Sequence, residues 1–296
     1  MVVFINMDND KQSIDEKFTF LDNGWCILYN SKCCSQKIFN LIVDILSKNT
    51  IPDNWIRVKS SRNSIVWKFL VDNNWFIFKE YLSRNAFEGI KAFLRGTRAE
   101  RAWRNSKLLI HKKIPTPTLV LLGKRISRFL NYQNFLITEF IPNAIGIDTL
   151  FRIFLNIPWN KENILFKRFL IQRLGTFVGR LHAQGIIHGD LRLDNILLVY
   201  ENRYEIKFYL IDNEKTKYFL KGIPNRLRLK NLVQLNMIIL PLITITDRMR
   251  FFKSYLNENP SLQPFAKKFA RKVILATIKR LQKRNSSSPS FYKNSG

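Results

Sequence analysis

The hydropathy pattern of this chain changes period once, and that switch limits the folds open to it. Between residues 56 and 140, short apolar runs alternate with turn chemistry, as half-buried strands do. Residues 56–59, 64–71, 75–81, 119–122 and 135–140 read as strands, with Asp72-Asn73-Asn74 as a turn between the second and third. One helix interrupts them, over 99–111, stopped by Ile114-Pro115-Thr116-Pro117, whose prolines force extended backbone. From residue 166 the spacing becomes helical. Phe166, Phe169, Leu170, Leu174, Phe177, Val178 and Leu181 mark a long amphipathic helix with Gly185 placed to cap it. Residues 196–200 and 205–211 read as a small hairpin, and the chain beyond Asn225 as helices. The expected class is α+β and bilobal, a small β-rich N-terminal lobe over 51–141 and a mainly helical C-terminal lobe over 142–284. Residues 1–50, with a strand near 25–29 and a helix over 38–46, read as an N-terminal extension, and the serine-rich 285–296 as a disordered tail.

Composition removes several function classes. None of the eleven glycines lies between Trp25 and Glu88, so the first 88 residues hold neither a dinucleotide fingerprint nor a P-loop. The three cysteines (Cys26, Cys33, Cys34) and three histidines (His111, His182, His188) are too few and wrongly spaced for a zinc site, and an odd cysteine count argues against a secreted disulfide framework. The longest nearly apolar run, 232–245, is broken by Asn236 and Pro241 and is shorter than the roughly 20 residues that span a bilayer. A cytoplasmic protein is expected. With 49 Lys plus Arg against 22 Asp plus Glu, the net charge of +27 sets up a positive field for an anionic partner. The excess is concentrated in residues 221–284, which carry fifteen basic residues and only Asp247 and Glu258 as acids.

Chemistry is spelled most clearly in His188-Gly189-Asp190-Leu191-Arg192-Leu193-Asp194-Asn195, between the long helix and the hairpin, with Asp212 following at the end of the strand Tyr209-Leu210-Ile211. The pattern H-x-D-x-x-x-x-N plus a downstream aspartate matches the catalytic loop and metal-binding position of kinase-like phosphotransferases. Phosphoryl transfer asks a protein mainly to position two oxygens and neutralise charge. Asp190 would accept the proton of an attacking hydroxyl, Arg192 would stabilise the transferred group, and Asn195 and Asp212 would hold magnesium. His188 reads as packing beneath the loop. Lys79, on the apolar strand Trp75-Phe76-Ile77-Phe78-Lys79-Glu80-Tyr81, is the candidate cation for nucleotide phosphates, with Glu100 as the nearest acidic residue to pair with it. Thr138-Glu139-Phe140-Ile141-Pro142 occupies the hinge position, where backbone groups of Glu139 and Ile141 would pair with adenine.

Around these residues the chain resembles the lipopolysaccharide core kinases of Gram-negative bacteria, the Kdo and core-heptose kinase group, which look like minimal protein kinases. The likeness runs through Phe78-Lys79-Glu80-Tyr81, Thr97-Arg98-Ala99-Glu100-Arg101-Ala102-Trp103, Ile114-Pro115-Thr116-Pro117 and Thr246-Asp247-Arg248-Met249-Arg250-Phe251, and covers roughly residues 56–256. It implies a protein-kinase-like fold that uses ATP and Mg2+ to phosphorylate a sugar hydroxyl of the inner core, Kdo or heptose, on a membrane-anchored glycolipid at the inner face of the inner membrane. The chain departs from the group in carrying Ala102 before Trp103 where a glutamate is common, no glycine in the turn near Ser60-Ser61-Arg62-Asn63-Ser64, and Asn231 where an aspartate often anchors the catalytic loop. Alternatives are a pseudokinase scaffold or membrane-binding module, an aminoglycoside-type phosphotransferase, whose cationic substrates a +27 surface would repel, and a protein-tyrosine kinase. Nucleic acid is not expected as a specific partner. Basic residues after Asn225, among them Arg226, Arg228, Arg248, Arg250, Lys267, Lys268, Arg271 and Lys272, are expected to face anionic membrane or substrate phosphates, while Phe265, Phe269, Val273, Ile274 and Ile278 are expected in the core.

Overall fold

The computed structural model describes residues 14–83, 92, 94–127, 131–200, 202, 205–238 and 243–286. Residues 1–13 of the expected extension, 287–296 of the expected tail and Pro241 of the apolar run therefore lie outside the described residues. The chain divides into two units, Met1–Asn143 with Tyr209–Lys215, and Ala144–Phe208 with Thr216–Gly296.

The first unit is built on strands β1 (Glu16–Phe20), β2 (Trp25–Asn30), β3 (Ile56–Ser61), β4 (Ser64–Val71), β5 (Asn74–Tyr81), β6 (Leu119–Ser127) and β7 (Asn131–Glu139). They form one antiparallel sheet in the order β1-β2-β6-β7-β5-β4-β3. The stretch expected as an N-terminal extension thus supplies two strands of this sheet, with β2 paired to β6 so that Trp25 lies opposite Arg125. Alternation along each strand sorts side chains between two faces. One face gathers Trp25, Ile27, Phe69, Phe76, Phe78, Phe135 and Ile137. Helix α1 (Gln36–Lys48) covers it with Ile38, Ile42 and Ile45, which recur on one helical side. Each fully buried side chain of this size contributes roughly 1.5–3 kcal/mol. The opposite face carries Tyr81, Leu119, Leu122 and Leu136 under Ala99, Ala102 and Trp103 of helix α2 (Arg98–His111). Lys79 shares the parity of Tyr81, so β5 aims it at the α2 side. Among the described residues the two outermost strands expose apolar side chains, Phe18 and Phe20 on β1 and Ile56 and Val58 on β3, with a register shift between Arg57 and Lys59.

The second unit is mainly helical: α3 (Ile147–Ile153), α4 (Lys161–Ala183), α5 (Asn225–Asn236), α6 (Ile245–Asn257) and α7 (Ala266–Ser286). Short strands accompany them, β8 (Ile145–Gly146), β10 (Ile196–Tyr200) and β11 (Ile206–Leu210) in the order β11-β10-β8, and β9 (Ile186–Ile187) paired with β12 (Lys217–Tyr218). Helices α4 and α6 approach closely because Gly175 and Gly179 lack side chains: a Cβ would come within 2.4 Å of the Phe251 carbonyl oxygen at the first and 3.0 Å of the Tyr255 carbonyl oxygen at the second. A buried ion pair, Lys167 to Asp247 at 2.6 Å, ties the same two helices. Asp247 also caps α6 through Thr244 and pairs with Arg250 at 2.6 Å. Burial works to raise the Asp247 carboxyl, but its bonds to Lys167 and Thr244 hold it below the usual carboxylate range.

These contacts revise two expectations for the basic helices. Arg248 donates to the Asn236 and Ile238 carbonyl oxygens, Arg250 to Asp247, and Arg228 to Tyr255 and Asn259, so these arginines are wired into the fold. Arg226, Lys267, Lys268, Arg271 and Lys272 are exposed. Of the apolar residues expected in the core, Phe269 is buried, whereas Phe265, Ile274 and Ile278 are exposed. α7 alternates basic and apolar residues so closely that its apolar stripe is wider than its neighbours cover. An apolar cavity of about 480 Å³ lies beside it, lined by Leu235, Phe252, Val273, Ile274 and Ile278 among others.

Candidate active site

The Asp190 loop belongs to the second unit. Gly189 takes φ +77°, a turn that glycine enters without steric cost, while Leu191 and Leu193 drop into the core on either side of Arg192 and pin the loop from below. The loop then closes on itself. Asn195 donates from Nδ2 to the Asp190 carbonyl oxygen at 2.8 Å, and the Asn195 N–H bonds to the Arg192 carbonyl oxygen at 3.1 Å. With its nitrogen committed, the Asn195 side chain has an oxygen to offer a cation. Asp190 Oδ1 pairs with Arg192 Nε at 3.1 Å and accepts a hydrogen bond from Gln234 Nε2, also at 3.1 Å. Gln234 Oε1 in turn accepts the Leu191 N–H at 3.3 Å. His188 is fully buried under the loop. The side chain that anchors the loop here is therefore Gln234, three residues beyond Asn231, the position that the resemblance marks out.

Lys79 and Asp212 both belong to the first unit and form an ion pair. Asp212 has φ +66°, a left-handed conformation that aspartate tolerates better than most residues and that fixes how the segment after β11 turns. The next two residues hold that turn against α2. Asn213 donates to Ser106 Oγ at 2.9 Å and Thr116 Oγ1 at 2.7 Å, and its carbonyl oxygen accepts from Asn105 at 2.7 Å. Glu214 takes both arms of Arg98, Nε to Oε2 at 2.8 Å and Nη2 to Oε1 at 3.2 Å. The third nitrogen of Arg98 donates to the Asn63 carbonyl oxygen at 2.7 Å, in the glycine-free turn between β3 and β4. Tyr81 lies beneath, its ring centroid 4.8 Å from the Arg98 guanidinium carbon and 5.1 Å from Lys79 Nζ. Burial, reinforced by Asp212 and Glu214, pushes the Tyr81 hydroxyl well above its ordinary range.

One expected assignment changes. Glu100 is not brought to Lys79. Its Oε2 accepts the Thr97 N–H at 2.6 Å while Thr97 Oγ1 accepts the Glu100 N–H at 3.2 Å, a capping box that starts α2, and its Oε1 pairs with Lys124 at 2.6 Å. Burial opposes its ionisation, but Lys124 and Thr97 hold the carboxyl below the usual value. Asp212 stands instead opposite Lys79. In the β3–β4 turn, Ser61 Oγ accepts the N–H groups of Asn63 and Ser64 at 3.2 Å each, so its hydroxyl closes the turn itself. At the end of β7, the Glu139 N–H bonds to the Thr118 carbonyl oxygen at 3.0 Å and the Phe140 N–H to that of Trp75 at 2.9 Å, with Ile141 next along the chain. Among the described residues no group of three His, Cys, Asp or Glu side chains gathers for a metal. The side-chain oxygens of Asn195 and Asp212 are each hard donors of the kind magnesium takes alongside substrate phosphates.

Similarity to known proteins agrees with this geometry. The model of the lipopolysaccharide kinase (Kdo/WaaP) family matches residues 78–255, which include Lys79, Asp190, Asn195 and Asp212. The lipopolysaccharide core heptose(I) kinase WaaP of Escherichia coli is 28% identical over 163 residues, 53% of this chain and 59% of the relative, so the match spans about three-fifths of that protein's length. A probable bifunctional tRNA threonylcarbamoyladenosine biosynthesis protein of Methanosarcina acetivorans is 47% identical over 47 residues, 16% of this chain and 9% of the relative. Among solved structures, WaaP in complex with acyl carrier protein superposes with a TM-score of 0.52 at 20% identity, covering 74% of this chain and 88% of that one, which shows the protein-kinase-like fold. With more than half of its length matched by the family model, and that half carrying the loop and the Lys79–Asp212 pair, the chain belongs to the lipopolysaccharide kinase (Kdo/WaaP) family.

Proposed function

We propose that the protein is an ATP-dependent kinase that phosphorylates a sugar hydroxyl of the lipopolysaccharide inner core, on Kdo or heptose. The observation that carries this reading is the family match over 78–255, because that span contains the whole set Lys79, Asp190, Asn195 and Asp212. Asp190, fixed by the folded loop, orients the acceptor hydroxyl and takes its proton as the oxygen attacks. Arg192, largely exposed beside it, presents a guanidinium to the transferred phosphoryl group. Lys79 faces the nucleotide phosphates, and the backbone of Glu139 and Ile141 holds the adenine. Asn195 and Asp212 would hold magnesium, which would supply positive charge to the phosphates. Lys79 and Asp212 carry opposite charges and form an ion pair.

A lipid-anchored acceptor suits the second unit, and with it a place on the inner face of the inner membrane. Lys267, Lys268, Arg271 and Lys272 are exposed on α7 together with Ile274, Leu275 and Ile278, an arrangement that suits an anionic membrane surface. No described helix is long and apolar enough to cross a membrane. An acyl carrier protein, the partner in the WaaP structure, is a further candidate partner, and co-purification tests it. The decisive test of the activity is incubation with ATP, magnesium and defined core glycolipids bearing Kdo or heptose, followed by mass spectrometric location of the added phosphate. Transfer to one of these sugars, abolished by Asp190→Ala, is the expected result. Absence of transfer to every core acceptor overturns the proposal.

A further inference from the structure

Helix α5 carries Arg228, Asn231 and Gln234 at intervals of three, so the three side chains share one side of it. On that side they join His182, at the end of α4, and Tyr255 of α6 in a continuous series of hydrogen bonds. The contacts are Arg228 Nη1 to the Tyr255 hydroxyl at 3.2 Å, the hydroxyl to His182 Nδ1 at 3.0 Å, His182 Nε2 to Asn231 Oδ1 at 3.2 Å, and Asn231 Nδ2 to Gln234 Oε1 at 3.1 Å. The last contact is Gln234 Nε2 to Asp190 Oδ1, at 3.1 Å. His182, Asn231 and Tyr255 are completely buried and Gln234 nearly so.

The chemistry of the members fixes the direction of every bond. Arg228 can only donate, which makes the Tyr255 oxygen an acceptor and leaves its proton for His182 Nδ1. Asn231 presents its oxygen to His182, so the imidazole proton sits on Nε2. Both amides then point their N–H ends toward Asp190. Burial, with Arg228 nearby, lowers the His182 pKa to about 3 against the help of Asn231, which keeps the ring neutral as this direction requires. The polarity runs from a guanidinium to a carboxylate through groups that carry no net charge.

We infer that Gln234 is a positioning residue for Asp190, and that the relay Arg228, Tyr255, His182, Asn231, Gln234 orients it. Gln234 grips the loop twice, through the Leu191 N–H and the Asp190 carboxylate. It therefore sets both the height of the loop and the rotation of the carboxylate, and the buried amides upstream prevent it from flipping. This rests on the kinase reading for its consequence in turnover, but not for the direction of the relay. An aspartate at this point in the fold would bring a second negative charge next to Asp190; a glutamine relay does not.

Two measurements on the full-length protein test it. Long-range ¹H–¹⁵N NMR of ¹⁵N-histidine-labelled protein is expected to show His182 as the neutral Nε2–H tautomer down to about pH 4; the Nδ1–H tautomer, or an imidazolium at pH 5, overturns the relay. Kinetics with ATP and core glycolipid test the positioning. Gln234→Leu is expected to lower kcat by about tenfold or more, the usual cost of a lost bond to a charged group, with KM for ATP within about twofold. Gln234→Glu keeps the shape but donates only when protonated, so its rate relative to wild type should rise as the pH falls toward 5. Among the described residues the charged or titratable groups along this series of contacts are Asp190, Arg192, His182, Tyr255 and Arg228, and they, like every other group of the chain, are shared with wild type and so removed by taking the ratio. A ratio that does not change with pH, in a variant that melts like wild type, overturns the positioning role. Tyr255→Phe supplies a milder break should Gln234 variants misfold: a kcat unchanged from wild type also counts against the relay. If wild type transfers no phosphate, the kinase reading fails, and the tautomer measurement still decides the relay.

Discussion

Asp212 and Asp190 are held by opposite means. In the first unit, the Asp212 segment is fastened with full charges: Lys79 on Asp212 itself, and Arg98 on Glu214 two residues later, both arms engaged and neither partner more than about one-seventh exposed. In the second, the Asp190 carboxylate pairs with the exposed Arg192 and accepts from an uncharged amide, which is backed by another amide and a neutral imidazole. A buried charge is stable only while its partner remains, so the first arrangement fails abruptly when one side is removed. Neutral hydrogen bonds cost little to bury when satisfied and contribute modestly each, so the second fails gradually. A ligand that competes for Lys79 or Asp212 thus acts on the strongly coupled set, whereas the carboxylate assigned to proton transfer is shielded from such competition.

The comparison can be broken at several points. The largest effect is expected from Asp190→Asn, which keeps the shape and removes the base: kcat for core glycolipid should fall about 10²–10⁴-fold while thermal melting barely moves. Next is Glu214→Ala, which strands Arg98 in a site 14% exposed. Chemical denaturation should show a loss of about 3–5 kcal/mol, and Arg98→Met combined with Glu214→Leu should recover most of it. If the double variant is as unstable as the single one, charge pairing is not what holds that segment. A smaller effect concerns His182, whose folded value of about 3 lies below its ordinary 6.5. The folded state sheds the proton, so this contribution to stability is complete above pH 6.5 and drains away as the pH falls toward 3. The unfolding free energy from chemical denaturation should therefore decline with acidity by up to roughly 1.4 kcal/mol per pH unit in that window, and His182→Gln should flatten the slope. The smallest is the exposed Lys37–Asp72 pair, at 73% and 47% side-chain exposure, where Lys37→Ala should change stability by less than about 1 kcal/mol.

The elements were legible in the sequence because each is a local pattern. Residues 64–71 form β4 as the alternation requires, α4 contains the helical run from Phe166, and the Asp190 loop falls between α4 and β10. Strand β1 was not legible: it lies at a sheet edge, four of its five residues are exposed, and Glu16-Lys17-Phe18-Thr19-Phe20 therefore lacks a buried side to betray it. The supports of the site were hidden by distance along the chain. Gln234 is 44 residues from Asp190, and Arg98 is 116 from Glu214, and no periodicity links residues so far apart. Glu100 is a different case. Thr97-Arg98-Ala99-Glu100 spells a capping box, and that local signal accounts for the glutamate without any role toward Lys79.

Among the described residues the seven-stranded sheet ends on both sides in a strand paired along one side only, an edge to which other chains could add. Its outermost strands counter this with charge, the exposed Lys17 at one end, where Glu16 is engaged by Lys107 and Trp103, and the exposed Arg57 and Lys59 at the other, where the shift in pairing between Arg57 and Lys59 interrupts the regular register. The rings of Phe18 and Phe20 can therefore stay exposed beside charged neighbours that disfavour the addition of a further strand.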